Sequence, residues 1–119
     1  MITGIGIDIV ELKRIDNILH RKQGFIDRVL APNEKILIEN KSPHRITEIV
    51  AGRFAAKEAV AKALGTGIGA ELCFHDIVIL PDEKGKPQVT LRNHLHTNIH
   101  VSISHSREYA VAQVIIEQV

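Results

Sequence analysis

Tryptophan is absent from this 119-residue chain, tyrosine occurs once and phenylalanine three times. A small domain normally leans on such side chains for burial, so assembly with further copies is an expected remedy. The single cysteine, Cys73, excludes an intrachain disulfide framework and makes a reducing cytoplasm the expected home. No apolar run approaches the roughly 20 residues that a membrane-crossing helix needs, and no charged segment with an apolar run behind it precedes Ile5. Neither a membrane partner nor a secretory leader is expected. An excess of one charge is missing too: 15 Lys and Arg against 14 Asp and Glu leave +1, which argues against a broad nucleic-acid-binding face. What remains, 45% apolar and 24% charged residues, suits one globular domain over residues 1–119.

The opening residues alternate as a strand, with Ile5, Ile7 and Ile9 on one face and Gly4, Gly6 and Asp8 on the other. From Glu11 the period lengthens: Leu12, Ile15 and Leu19 make one side of an amphipathic helix. Phe25, Ile26, Val29 and Leu30 predict a second helix after Gly24, and Pro32 opens a third, short one through about Glu39. Ser42-Pro43 is an N-cap and first-turn pair, and the apolar set from Ile46 to Leu64 predicts a long helix stopped at Gly65. A flexible glycine loop, Gly65 to Gly69, leads to strands at about Ile77–Leu80, Gln88–Leu91, Ile99–Ser104 and Ala110–Glu117. Pro81 to Pro87 and His105 to Glu108 are hairpin connections, and Arg92 to Asn98 is a short helix or a loop.

Helical spacing places Phe54, Glu58 and Lys62 on one stripe among five alanines. The plain alternative is an exposed Glu-to-Lys pair at i, i+4, worth about 0.3–0.5 kcal/mol. Asp8 shifts that balance, because an acid on a glycine-bearing strand face is costly to bury unless it is paired or holds a cation. Magnesium needs only one or two protein carboxylates, so Asp8 and Glu58 suffice, with Lys62 one turn on to meet a phosphate. A simple Asp8 salt bridge to Lys62 or Arg53 uses the same residues. The small side chains around this stripe would let a second chain or a ligand come close to the backbone.

Other signals are weaker. His94, His96 and His100 lack the spacing and cysteine partners of a metal site. Ser104 and His105 point to opposite faces of a strand, so they form no dyad, although His105 near a turn suits a phosphate contact or a proton carrier. Cys73, between Leu72 and Phe74, reads as a small buried hydrophobe. From Lys13 to Arg28 there are five basic and two acidic residues, a local excess that suits an acidic partner.

Gly4-Ile5-Gly6-Ile7-Asp8 with Glu11 and Arg14 is followed by Arg53-Phe54-Ala55-Ala56-Lys57-Glu58-Ala59, Lys62-Ala63 and Gly65-Thr66-Gly67, and then by Ser102-Ile103-Ser104-His105-Ser106. In this order, over essentially the whole chain, they resemble the holo-acyl-carrier-protein synthases, the short bacterial type of 4′-phosphopantetheinyl transferase. The resemblance implies an α+β fold in which a largely antiparallel sheet packs against the long central helix. It implies transfer of the 4′-phosphopantetheine arm of coenzyme A to a serine of apo-acyl carrier protein, releasing adenosine 3′,5′-bisphosphate, in fatty acid biosynthesis. It further implies Mg²⁺ on Asp8 and Glu58, a catalytic phosphate contact at Lys62, coenzyme A phosphates at Arg53 and His105, and a loop near the adenine at Gly85-Lys86-Pro87. Arg14, Arg21 and Arg28 match the basic surface that meets the carrier protein. The proton acceptor for the serine is left among Glu58, a water on the cation and His105. Members of this length resemble half of the longer, two-repeat transferases, and the resemblance implies a homotrimer with active sites between neighbouring protomers. From the residues alone, a Mg²⁺-dependent phosphohydrolase using Asp8, Glu58 and Lys62, or a carrier-binding module that keeps only the basic helix, stays open.

Overall fold

The structure, a computed structural model, describes residues 1–92 and 97–118. Strand β1 (Ile2–Glu11) runs directly into α1 (Leu12–Arg21) and the short α2 (Phe25–Val29). A 3₁₀ segment (Pro32–Ile38) leads to α3 (Pro43–Leu64), and a second one (Phe74–Asp76) to β2 (Ile77–Pro81), β3 (Pro87–Leu91), β4 (Thr97–His105) and β5 (Tyr109–Gln118). β1, β5 and β4 form an antiparallel sheet in that order, β2 and β3 pair as a separate hairpin, and β3 lies beside β4. This is the expected α+β architecture, with α3 packed across the three-stranded sheet.

The ends of α3 follow from its sequence. Ser42 Oγ accepts the Arg45 amide at 3.2 Å, and Pro43 fills the first turn where no donor is needed. Gly65, at φ 79°, ends the helix in the left-handed region, where its amide and that of Thr66 cover the Lys62 and Ala61 carbonyls. Between these ends the helix is buried on more than one side: Val50, Ala51, Ala55, Ala56, Ala59 and Val60 are wholly covered.

The glycines of β1 do something other than admit a second chain. They face α3, and the backbones meet there: a β-carbon at Gly6 would stand 2.0 Å from the Ala59 carbonyl oxygen, and one at Gly4 2.3 Å from that of Ala63. The small residues on both elements are thus used within the protomer. Ile5, Ile7 and Ile9 consequently lie on the outer face, 60–64% exposed, beside Val111 and Ile115 of β5.

One further expectation is corrected. Cys73 is exposed, because Leu72 and Phe74 take the core positions while the Cys73 amide donates to Asp76 Oδ2 at 3.0 Å. The histidine cluster does not stand as a unit among the described residues: His100 pairs with Glu117 at 2.7 Å, and His94 and His96 lie outside them. The same holds for most of the Arg92 to Asn98 connection, although Thr97 and Asn98 already belong to β4.

Candidate active site

Three of the expected residues converge where β1 crosses α3. Lys62 Nζ donates to Asp8 Oδ1 at 2.9 Å and to the Ile7 carbonyl at 3.0 Å. Asp8 is mostly covered and Lys62 about half exposed, so the pair sits at a rim. Desolvation lifts the Glu58 carboxyl above its ordinary value and the charge of Asp8 lifts it further, with Lys62, Arg14 and Arg28 opposing. Two carboxylates close enough to repel, with an ammonium already drawn to one of them, make a site that favours additional positive charge. An all-oxygen pair of this kind suits a hard divalent cation that completes its shell with water and phosphate oxygens, so the residues fit magnesium. Among the described residues no group of three or more His, Cys, Asp or Glu side chains gathers to hold a metal.

Beside Glu58 opens a cleft of about 440 Å³. Phe25, Phe54 and Phe74 give it apolar walls, and Arg14 and Arg28 are basic residues of its lining. The Arg28 guanidinium lies over the Phe74 ring, 5.9 Å from its centre. Phe54 and Glu58 therefore share a face as the helical spacing predicts. Arg21 is exposed on α1, seven residues from Arg14 and so on the same side of that helix, but outside the cleft lining.

Arg53 and Gly85 come together elsewhere. They line a second cleft, about 480 Å³, with Lys41, Arg45, Ile36 and Pro81 among its other walls. Arg53 Nε donates to the Ile79 carbonyl at 3.3 Å, and burial pulls its guanidinium below its ordinary value, opposed by the charge of Glu34. Gly85 turns the β2–β3 hairpin at φ 85°, and Pro87 opens β3 two residues later. Three cations with an apolar shelf suit a phosphorylated, aromatic ligand.

His105 reaches α3 on an adjoining ridge, where its Nε2 donates to the Glu48 carbonyl at 2.9 Å. It comes this close because Gly52 has no side chain: a β-carbon there would stand 3.1 Å from Nε2. Arg53 and Glu58, five residues apart, lie about 140° apart around the helix, and neither cleft shares a lining residue with the other. The chain thus presents the expected residues in two separate clefts, with His105 on a ridge beside them.

The sequence reading passes over Lys41 and Arg45, whose signal was a series of basic residues spaced by four and then eight positions leading to Arg53. It also passes over Glu34 and Lys57. Both are fully buried, joined by a 2.5 Å bond from Lys57 Nζ to Glu34 Oε1. Burial pulls the Lys57 ammonium downward, and the hydrogen bond and charge of Glu34 oppose it.

Residues 4–114 match the 4′-phosphopantetheinyl transferase superfamily. A holo-[acyl-carrier-protein] synthase of Geobacillus sp. (strain WCH70) is 58% identical over 118 residues, covering 99% of this chain and 98% of that one. The crystal structure of a holo-(acyl-carrier-protein) synthase from Bacillus anthracis str. Ames, in complex with CoA (3′,5′-ADP), superimposes with a TM-score of 0.91 at 50% identity, over 100% of this chain and 99% of the other. The Helicobacter pylori holo-[acyl-carrier-protein] synthase in complex with coenzyme A gives 0.82 at 39% identity, over 95% and 99%. With paired carboxylates beside an apolar cleft and near full-length identity to these enzymes, the chain belongs to the holo-[acyl-carrier-protein] synthases of the 4′-phosphopantetheinyl transferase superfamily.

Proposed function

We propose that this chain moves the 4′-phosphopantetheine arm of coenzyme A onto a serine hydroxyl of apo-acyl carrier protein and releases adenosine 3′,5′-bisphosphate. The observation that carries this reading is the meeting of Asp8, Glu58 and Lys62, with Glu58 also lining an apolar cleft. The serine oxygen forms a bond to the phosphorus that bears the arm and gives its proton to Glu58, a water or His105, the bond to the bridging pyrophosphate oxygen breaks, and the nucleotide leaves with that oxygen. Asp8 and Glu58 would hold Mg²⁺, which when bound neutralises pyrophosphate charge. Lys62, released from Asp8 as the substrate enters, takes a phosphate oxygen. The apolar walls of Phe25, Phe54 and Phe74 receive the arm and keep water from the attack. Arg53, with Lys41, Arg45 and the Gly85–Pro87 turn, receives the nucleotide end, and His105 serves the same end. Arg14 and Arg28 in the cleft lining, with Arg21 farther along α1, present positive charge to an acidic carrier. The full-length similarity to holo-[acyl-carrier-protein] synthases favours a transferase over a phosphohydrolase, and the basic surface suits a docking acidic acceptor.

Residues 1–119 work as one domain, and the two half-sites meet between protomers of a homotrimer. Two features support this: the clefts open on different faces of α3, and Ile5, Ile7 and Ile9 form an uncovered apolar stripe. Ile7→Glu is accordingly expected to yield monomers by light scattering and to lower transfer at least about tenfold. A fully active assembly of the variant would exclude that stripe as the interface. Transfer takes place in the cytoplasm and supplies fatty acid biosynthesis. Among the described residues no helix is long and apolar enough to cross a membrane.

Intact-protein mass spectrometry of an apo-acyl carrier protein incubated with this chain, coenzyme A and Mg²⁺ tests the reaction. The carrier should gain the mass of one arm, lose that gain in EDTA and recover it with added Mg²⁺. Free phosphopantetheine with an unmodified carrier would indicate hydrolysis instead.

A further inference from the structure

Glu34 and Lys57 take no part in the chemistry above, yet among the described residues they are the charged side chains wholly out of water. A buried ion pair is a poor source of stability, because desolvation takes back most of what attraction gives, and apolar residues of similar volume often do as well. The value of this one lies in what it holds. Lys57 Nζ donates to Glu34 Oε1 at 2.5 Å, to the Val29 carbonyl at 2.7 Å and to the Phe74 carbonyl at 3.1 Å, which uses all three of its hydrogens. Glu34 Oε1 also accepts the Ala31 amide at 2.8 Å, and Oε2 accepts the Ile79 amide at 2.8 Å. The Ile79 carbonyl in turn receives Arg53 Nε.

Each end of this network stops at a cleft wall. Phe74 is itself a wall of the Glu58 cleft, Val29 follows Arg28, and Glu58 follows Lys57 along α3. At the other end Arg53 lines the second cleft. The network therefore passes through the body of the protomer from one half-site to the other, whereas neither Arg14 nor Arg21 on α1 receives any of its bonds.

We infer that Glu34 and Lys57 are a positioning pair for coenzyme A, fixing the walls of the arm cleft at one interfacial site and the Arg53 guanidinium at the next, without touching the reacting atoms. The inference rests on reading the two clefts as the coenzyme A site. Misplacing binding groups by about an ångström costs up to about a hundredfold in rate, and here the loss should appear in one substrate's constants.

The test is steady-state kinetics of Glu34→Gln/Lys57→Met, which leaves no single charge buried, beside Glu34→Asp, which keeps both charges but shortens one arm by a methylene. The double variant should raise KM for coenzyme A at least about tenfold, with KM for the carrier protein changed less than about threefold and the melting transition still above the assay temperature. Glu34→Asp should show the same split at smaller size, and it decides alone if the double variant does not fold. Arg53→Gln serves as the control for the underlying reading. If Arg53→Gln raises KM for coenzyme A while the pair variants leave both KM values unchanged, with kcat falling only as the folded fraction falls, the pair is structural and the inference is overturned. If Arg53→Gln also leaves KM unchanged, the two-cleft reading falls, and the positioning role falls with it.

Discussion

Replacing Glu58 with Gln is expected to lower transfer by on the order of 10²–10³-fold while leaving association with the carrier protein unchanged. The side chain keeps its shape but loses the charge that, with Asp8, draws a cation. The same substitution has an opposite effect on the fold. Desolvation first, and Asp8 second, raise the Glu58 pKa in the folded chain. A carboxyl whose folded pKa lies above its unfolded one contributes stability that is complete below the ordinary carboxylate range and is lost as pH rises through the raised value. At neutral pH without a cation, ionised Glu58 therefore weighs against the folded state, and Gln removes that weight. In EDTA the variant should melt no lower than the parent chain. Mg²⁺ should raise the melting temperature of the parent chain and not of the variant, and this rise should fade as pH falls toward the raised Glu58 pKa. Normal turnover by Glu58→Gln would take the metal away from this carboxylate.

Gly6→Ala is expected to be the most damaging single methyl group that β1 can carry. The new carbon would stand 2.0 Å from the Ala59 carbonyl oxygen, a backbone atom that cannot swing aside as a side-chain tip can. Strand and helix must separate, and overpacking of this kind costs about 3 kcal/mol, or roughly 10 °C in melting temperature for a domain of this size. Because Asp8 and Glu58 belong to the two elements forced apart, cation binding should weaken in the fraction that stays folded. Thermal melting with and without Mg²⁺ checks both effects; an unchanged transition would mean that β1 and α3 are not in backbone contact.

Much of this was legible in the chain. Alternation at Ile5, Ile7 and Ile9 predicts β1, Ser42-Pro43 and Gly65 bound α3, and the turn residues at Pro81 to Pro87 mark the hairpin. The stripe of Phe54 and Glu58 follows from helical spacing alone. The face of β1 that turns inward did not, because hydrophobic patterning puts isoleucines inside, whereas here close backbone packing selects glycine and leaves the isoleucines outside. Glu34 and Lys57 were invisible for a different reason. Their bond spans 23 residues between a 3₁₀ segment and a helix, and no local period distinguishes a charge destined for burial from a solvated one. Cys73 shows the limit of neighbours as guides: Leu72 and Phe74 are buried while it is not.

The separation of the two half-sites on α3 makes that helix intolerant of length change. Inserting or deleting one residue between Arg53 and Glu58 rotates everything beyond it by about 100°, which carries one cleft wall out of place while leaving the chemistry of every side chain intact. Loops on either side of the helix have room for additions, but the four residues between Arg53 and Glu58 behave as a fixed gauge.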